Sequence, residues 1–440
     1  MSPRMSDIPR ATIGAALLLA AGAAGAQTAP PTPPASPVVS FFGEVRARSE
    51  YDRPGGVIPA DAFTYLRSRF GARADVGQGA TIVLQLQDSR ILGAEGNVGA
   101  TAPDVFDLHQ GYLQLGGIQG GYALDARAGR QEIALGNERL VGAVAWSNTG
   151  RSFDGLRLGV RPASSPAWDA TFFAATVEER GRHAGATATA PRTPDHVAVG
   201  LYATRGRTDG ASASRLLADA TVLYDGGARY RSYLDANRTT LDLRLRAPAL
   251  GPMRAELEGA YQIGNQDVVA ATDTTSQTVG AWLLGARVGS RAAYGAQQRP
   301  SLTLGADLLS GDRTPRDGRY GAFATMFGTN HPFYGLMDVL GDPSAQTKER
   351  GLVDLLVQGS TPLSPSVLVK GELHHFAAAV GDDRALGSEA DLILPVRVSS
   401  AASVELGGAL FRAEKGAAPL GLGEAGKIRG WAYLQMRVGF

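Results

Sequence analysis

The chain has 440 residues, 43 basic and 42 acidic side chains, a formal charge of +1 and no cysteine. That balance argues against nucleic acid as a partner, and the missing thiols exclude disulfides, zinc–thiolate centres and cysteine nucleophiles. Gly occupies 57 positions, charged residues make up 19% and mean hydropathy is near zero, which fits a sheet with one wet and one apolar face better than a globular enzyme.

At the N-terminus, Arg4 and Arg10 precede an apolar run from Ala11 to Ala24, and Ala24-Gly25-Ala26 has the small-x-small form of a cleavage site. Residues 1–26 therefore read as a signal peptide. The run is too short to span a bilayer, and no other stretch of about 18 apolar residues occurs, so helical membrane insertion is not expected. Loss of Arg4, Asp7 and Arg10 leaves the mature chain formally neutral. Residues 27–37 read as a Pro-rich, extended periplasmic leader, because Pro supplies no donor to a helix or sheet.

From residue 38 onward the period is two. In Thr64 to Asp75, Tyr65, Arg67, Arg69, Arg73 and Asp75 share one face, and Leu66, Phe70, Ala72 and Ala74 the other. Near Arg151 to Arg161, the residues Leu156, Leu158 and Val160 oppose Arg151, Arg157 and Arg161. Further on, Leu241, Leu243 and Leu245 alternate with Asp242, Arg244 and Arg246, and Arg254, Glu256, Glu258 and Gln262 alternate with Ala255, Leu257, Tyr261 and Ile263. Such segments, about 9–12 residues long, suit tilted membrane crossings. About eighteen of them start near 40, 64, 80, 105, 122, 151, 168, 196, 215, 238, 253, 277, 300, 350, 366, 386, 402 and 429.

Connections after odd-numbered segments are mostly long (51–63, 89–104, 132–150, 179–195, 225–237, 310–349, 413–428), and those after even-numbered ones mostly short. Outside loops and periplasmic turns alternate in this way when both termini are periplasmic. The expected fold is all-β: a single transmembrane, outer-membrane antiparallel β-barrel of about 18 strands over residues 38–440. A barrel of that size is too wide for side chains to fill, so its lumen is aqueous and its default function is transport.

Only Lys348, Lys370, Lys415 and Lys427 among the 43 basic residues are lysines. Arg presents a planar fork of donors matched to carboxylates, although GC-rich codon usage would also raise Arg, Ala and Gly together. Arg67, Arg69, Arg73, Arg127, Arg130, Arg139, Arg151, Arg157, Arg244 and Arg246, with Asp154 among the interspersed acids, are the candidate pore-lining and substrate-binding residues. For each the alternative is a cross-strand ion pair that stiffens the wall.

Trp146 and Asn148 fall in a long outside loop and could fold inward to narrow the pore, or Trp146 could anchor the barrel at the lipid interface. His331 and Asp338 fall in another long loop; they read as loop packing, since no Ser nucleophile with an ordered partner set accompanies them. His374 and His375 alternate across a strand, so both cannot face one metal. Gly116-Gly117 and Gly120-Gly121 fall in a short turn and imply no phosphate loop. No cofactor and no metal is expected.

The chain ends in Trp431 to Phe440, where Ala432, Leu434, Met436, Val438 and Phe440 share a face opposite Tyr433, Gln435 and Arg437. A strand split in this way and ending on an aromatic residue resembles the C-terminal assembly signal of bacterial outer-membrane barrels. Outer-membrane lipid and the barrel assembly machinery are therefore expected partners.

Several short stretches occur in order: Asp107-Leu108-His109-Gln110-Gly111-Tyr112, Ala128-Gly129-Arg130-Gln131-Glu132, Gly136-Asn137-Glu138-Arg139-Leu140, Trp146-Ser147-Asn148, Arg151-Ser152-Phe153-Asp154-Gly155 and Phe327 to Asp338. As a set they resemble the alginate export family of outer-membrane porins. The resemblance implies an eighteen-stranded barrel with an arginine-rich, electropositive constriction that passes an anionic uronate polysaccharide, and periplasmic export partners. An uptake porin for small anionic solutes or oligosaccharides is the second reading, because nothing in a passive channel's sequence sets direction. A lipid-modifying barrel enzyme is the third, and lacks a Ser or His constellation.

Overall fold

The computed structural model describes residues 37–53, 60–93, 105–164, 167–178, 195–206, 216–230, 233–270, 273–290, 299–315 and 317–440. The expected signal peptide and all but the last residue of the leader lie outside them. The strands in chain order are β1 (Val38–Arg53), β2 (Asp61–Gly77), β3 (Ala80–Ile91), β4 (Val105–Gln119), β5 (Tyr122–Gln131), β6 (Phe153–Pro162), β7 (Trp168–Glu178), β8 (His196–Arg205), β9 (Leu217–Tyr230), β10 (Tyr233–Leu250), β11 (Met253–Ala270), β12 (Asp273–Ser290), β13 (Ser301–Leu309), β14 (Arg319–Tyr320), β15 (Leu352–Ser364), β16 (Val367–Ala377), β17 (Ala385–Arg397), β18 (Ala402–Ala413) and β19 (Ile428–Gly439).

All belong to one sheet, in which each wall strand pairs antiparallel with its neighbours in sequence. The two-residue β14 runs parallel to β12 and is not part of the wall. Eighteen strands remain, and β1 closes the ring on β19 from Glu44↔Gly439 to Arg53↔Gly430. Gly43 and Phe440 exchange both backbone hydrogen bonds at 3.1 Å. Closure is possible at that point because Gly43 has no side chain: a Cβ there would lie 2.6 Å from the Phe440 ring.

Parity fixes which face meets lipid. Leu84, Leu86, Leu113, Leu241, Leu243, Leu304, Leu355, Leu406, Leu434, Met436 and Val438 are exposed on the outside, while Arg46, Arg67, Gln85, Arg244, Glu258, Asp307 and Glu389 are buried within the lumen. Every expected strand start lies within five residues of an observed one. The expected loop at 225–237 is overturned, because β9 runs to Tyr230 and β10 begins at Tyr233. The expected length of about 9–12 residues is also exceeded by β1, β2, β4, β9, β15 and β17, and most by β10, β11 and β12, which have 18 residues each. Beyond the hydrocarbon both faces of a strand are wet, so the ladder continues without the apolar alternation that marks a strand in the sequence. Gly116 and Gly117 lie in β4, and the turn is the pair Gly120-Gly121, whose φ values of 57° and 83° match the type I′ hairpin that two glycines permit.

The apolar core is not in the sheet but inside the ring. The connections 132–152 and 310–351 turn back into the lumen, where Phe323, Phe327, Tyr334 and Leu340 pack against Phe153, Phe173, Phe376 and Phe411 of the wall. An isolated parallel bridge, Val141↔Phe327, joins the two loops. Glu138 reinforces it, accepting from the Thr329 hydroxyl at 2.7 Å and the Ala143 N–H at 3.1 Å.

Arg139 fixes this assembly to the wall. Its guanidinium lies 3.0 Å from Glu258 of β11 and 3.1 Å from Asp307 of β13, and donates to the Tyr334 hydroxyl at 3.1 Å. Burial works against its charge, but Asp307, Tyr334 and Glu258 outweigh burial and hold its pKa well above the ordinary range. Arg139→Gln is expected to destabilise the folded barrel by about 3 kcal/mol, at the lower end for breaking a buried pair because Arg287 still holds Asp307 at 2.7 Å. A lower temperature for loss of the compact gel species and noisier, larger single-channel currents would register this. Cysteines placed at Leu243 and Leu304 are expected to react with a lipid-phase label, and one at Arg246 only with an aqueous one.

Candidate functional site

The inner wall of β1 and β2 is lined by alternate arginines, and the loop 132–152 lies over them. Arg46 donates to the carbonyls of Ala145 at 2.8 Å and Ser147 at 2.9 Å. Arg67 donates to the same two carbonyls at 3.1 and 3.0 Å and pairs with Glu44 at 2.6 Å. Arg48 donates to the Trp146 carbonyl at 2.6 Å, pairs with Glu50 at 2.6 Å, and stacks its guanidinium 3.8 Å from the Trp146 ring centre. Three arginines thus hold three consecutive carbonyls, which a lysine's single ammonium would not do. Arg69 adds Glu132 at 3.2 Å and the Gln87 side chain at 2.6 Å.

Trp146 points into the lumen. It stacks on His331 with ring centres 4.4 Å apart and meets Tyr433 edge-on at 5.0 Å. His331 in turn lies 3.0 Å from Asp338 of its own loop, and its stack on Trp146 packs the two inward loops together. The Asn148 side-chain amide donates weakly to the Leu66 and Arg90 carbonyls, at 3.4 and 3.3 Å, and the Asn148 backbone carbonyl accepts from the Ser89 hydroxyl at 2.9 Å.

The remaining candidates separate into three groups. Arg73, Arg127, Arg157 and Arg246 face the lumen in its periplasmic half with water-accessible side chains. Arg73 lies 3.1 Å from Asp75. Arg127 and Arg157 share Asp125 at 3.8 and 3.7 Å, with Arg127 also donating to Gln114 at 3.0 Å and lying over Tyr112. Arg246 shares Asp219, at 3.0 Å, with the buried Arg244 at 2.5 Å. Arg139 and Arg151 form the second group and serve the loops: Arg151 donates to the carbonyls of Gly142, Phe327 and Gly328.

Arg130 and Asp154 are the third group, and the expectation that they line the pore is overturned. Arg130 is in register with Asp154 and Gly111, Gly111 with Leu84, Leu84 with Ala72 and Ala72 with Phe41, all on the outward face. There Arg130 binds Asp154 at 2.8 Å and Asp107 at 3.2 Å. Asp154 follows the parity of Leu156 and Leu158, which the motif-based reading did not respect.

Arg46, Arg48 and Arg437 were not singled out from the sequence, although the alternation in Gly43-Glu44-Val45-Arg46-Ala47-Arg48 and in Tyr433-Gln435-Arg437 carries them. Arg437 lies 2.5 Å from Glu44 with its side chain 59% exposed. Charge is therefore distributed unevenly round the ring. The walls of β19, β1, β2, β5 and β6 carry Arg46, Arg48, Arg67, Arg69, Arg73, Arg127, Arg157 and Arg437. Directly across the lumen from β5 and β6, β15 and β16 carry Asp354 and Glu372, with Asp307 on β13 and Glu389 and Asp391 on β17 in the strands beside them.

Comparison with known proteins agrees with this architecture. Solved porins share the fold: OccAB4 of Acinetobacter baumannii (TM-score 0.56, 10% identity, 93% of this chain and 100% of that one), OccK2 (OpdF) of Pseudomonas aeruginosa in complex with glucuronate (TM-score 0.57, 12% identity, 91% and 98%), and a BenF-like porin of Pseudomonas fluorescens Pf-5 (TM-score 0.57, 9% identity, 91% and 98%). No curated protein matches the sequence. The family model described as "Alginate export" matches residues 38–384, the greater part of the barrel including both inward loops. A closed barrel with an apolar belt, a polar lumen and this match is an outer-membrane channel protein, and the chain belongs to the alginate export family.

Proposed function

We propose that the barrel passes an anionic polysaccharide of the polyuronate type by passive diffusion, without catalysis, along its arginine-bearing wall. The observation that carries this reading is the accessible set Arg73, Arg127, Arg157, Arg246 and Arg437 in the periplasmic half of the lumen. Asp125 serves two of these arginines at long range, and Asp219 is divided between Arg246 and Arg244, so forked donors remain for a passing carboxylate. A polyuronate offers one carboxylate per sugar, and several weak contacts in a low-dielectric channel attract it without trapping it. Arg46, Arg48 and Arg67 hold the loop that the polymer passes.

The same wall suits small anionic solutes or oligosaccharides taken up from outside, and the volume that the two inward loops occupy favours this second reading. The outward apolar residues of β19, Leu434, Met436 and Val438, fit recognition by the barrel assembly machinery.

Planar-bilayer recording separates these readings. The wild-type channel is expected to prefer anions and to be blocked by an oligouronate at far lower concentration than by a uronate monomer. Replacing Arg73, Arg127, Arg157 and Arg437 together by Gln is expected to move the reversal potential toward cations and weaken that block, most clearly at low salt, where screening reaches least. Arg130→Gln, on the outer face, is expected to leave both unchanged. Equal block by monomer and oligomer favours small-solute uptake; cation preference in the wild type, or block by neutral oligosaccharides instead, overturns the anion-channel reading.

A further inference from the structure

The acidic wall opposite β5 and β6 contains an arrangement that transport does not require. We propose that Glu372 and His374 of β16 and Asp391 of β17 bind a divalent transition-metal ion of the Zn²⁺ or Mn²⁺ kind. One ligand atom from each lies within 4.8 Å of the others. His374 is 3% and Asp391 6% exposed, so both are withdrawn from bulk water.

The imidazole is oriented as a ligand. Its Nδ1 lies 3.0 and 3.1 Å from the two carboxylate oxygens of Asp354, itself 1% exposed. That contact fixes the ring and turns Nε2 toward Glu372, 3.6 Å away, where it has no hydrogen-bond partner. A carboxylate behind a histidine whose other nitrogen is free is the arrangement that orients metal-binding imidazoles. The ring is also stacked on Phe376, with centres 5.3 Å apart, which helps to hold its orientation.

Two further buried oxygens point the same way. Asp391 Oδ1 lacks a hydrogen-bond partner, as does Oε2 of the neighbouring Glu389. Their other oxygens accept from the loop backbone, Asp391 from the Leu336 N–H at 3.4 Å and Glu389 from the Met337 N–H at 2.9 Å. Gly335 allows this approach, since a Cβ there would lie 2.5 Å from the Glu389 carboxylate. Asp354, Glu372, Glu389 and Asp391 thus bring four carboxylates to one patch against His374 and Lys370. Buried carboxylate and imidazole atoms without a partner are costly, and a dication held by Glu372, His374 and Asp391 would give such atoms one. One imidazole with carboxylates suits Zn²⁺ or Mn²⁺, whereas Ca²⁺ and Mg²⁺ take oxygen ligands.

The test uses the full barrel, folded in detergent and stripped with a chelator, and titrated calorimetrically with Zn²⁺ and separately with Mn²⁺. The wild type is expected to bind one ion per chain. His374→Asn and Asp391→Asn are expected to lose the site, and Asp354→Asn, which removes only the group orienting the ring, to weaken binding by about 10–100-fold. His375→Asn, whose side chain faces outward to Ser388, is expected to bind as the wild type does. Heat-modifiable mobility reports folding of each variant, and Co²⁺ added to the wild type gives a variant-independent readout through the visible bands of a nitrogen-ligated ion. A wild type that binds neither metal, a Co²⁺ complex without nitrogen ligation, or a folded His374→Asn variant that binds as tightly as the wild type overturns the proposal.

Discussion

Inside a bilayer no water is present to satisfy a backbone N–H or C=O, so a sheet crossing it must close on itself. In this chain that requirement is met where β1 meets β19, and the rest of the architecture depends on the join. Closing eighteen strands makes a ring too wide for wall side chains to meet across its centre. The space is occupied instead by two long loops whose apolar core is shared with a few wall residues such as Phe173 and Phe376, and those loops must also be held by a wall whose inner face is largely polar.

Arginine resolves that conflict between an apolar plug and a wet wall. Arg46, Arg48 and Arg67 bind backbone carbonyls of the loop while Glu44 and Glu50 neutralise two of them. From the loop side, Arg151 also binds backbone carbonyls, and Arg139 binds the wall carboxylates of Glu258 and Asp307. Backbone carbonyls are the acceptors that a loop always has, and the guanidinium presents five donors in a fixed fork, enough to hold two carbonyls and a carboxylate at once. The arginine enrichment therefore has two structural outcomes. Buried members secure the loops, and exposed members in the periplasmic half leave charge facing the lumen.

Strand positions were legible because the membrane imposes a strict alternation on any wall residue within the hydrocarbon. Where that constraint ends, legibility ends: β9 runs on to Tyr230 and β10 starts at Tyr233, inside a stretch expected to be loop, and only their pairing identifies these ends as strand. Arg130 and Asp154 show the opposite failure. Local alternation with Leu156 and Leu158 placed Asp154 outside, and reliance on the short motif rather than on parity placed it in the pore. The inward course of 132–152 and 310–351 had no periodic signal at all, since Phe323, Phe327, Tyr334 and Leu340 pack through irregular backbone. The acidic cluster on β15, β16 and β17 was missed because its members come from three strands and meet only through register. His374 was visible, but its partners were not.

The uneven distribution of charge round the ring has a consequence for anything that moves through it. Basic residues on one side and acidic residues on the other act like the plates of a capacitor, and the field between them runs across the channel rather than along it. Water and dipolar solutes in such a field are turned as they pass, and an anion is favoured on the side of β5 and β6 over that of β15 and β16. For an anionic solute the favoured course is then a track along one wall, where contact with that wall counts for more than the width of the lumen.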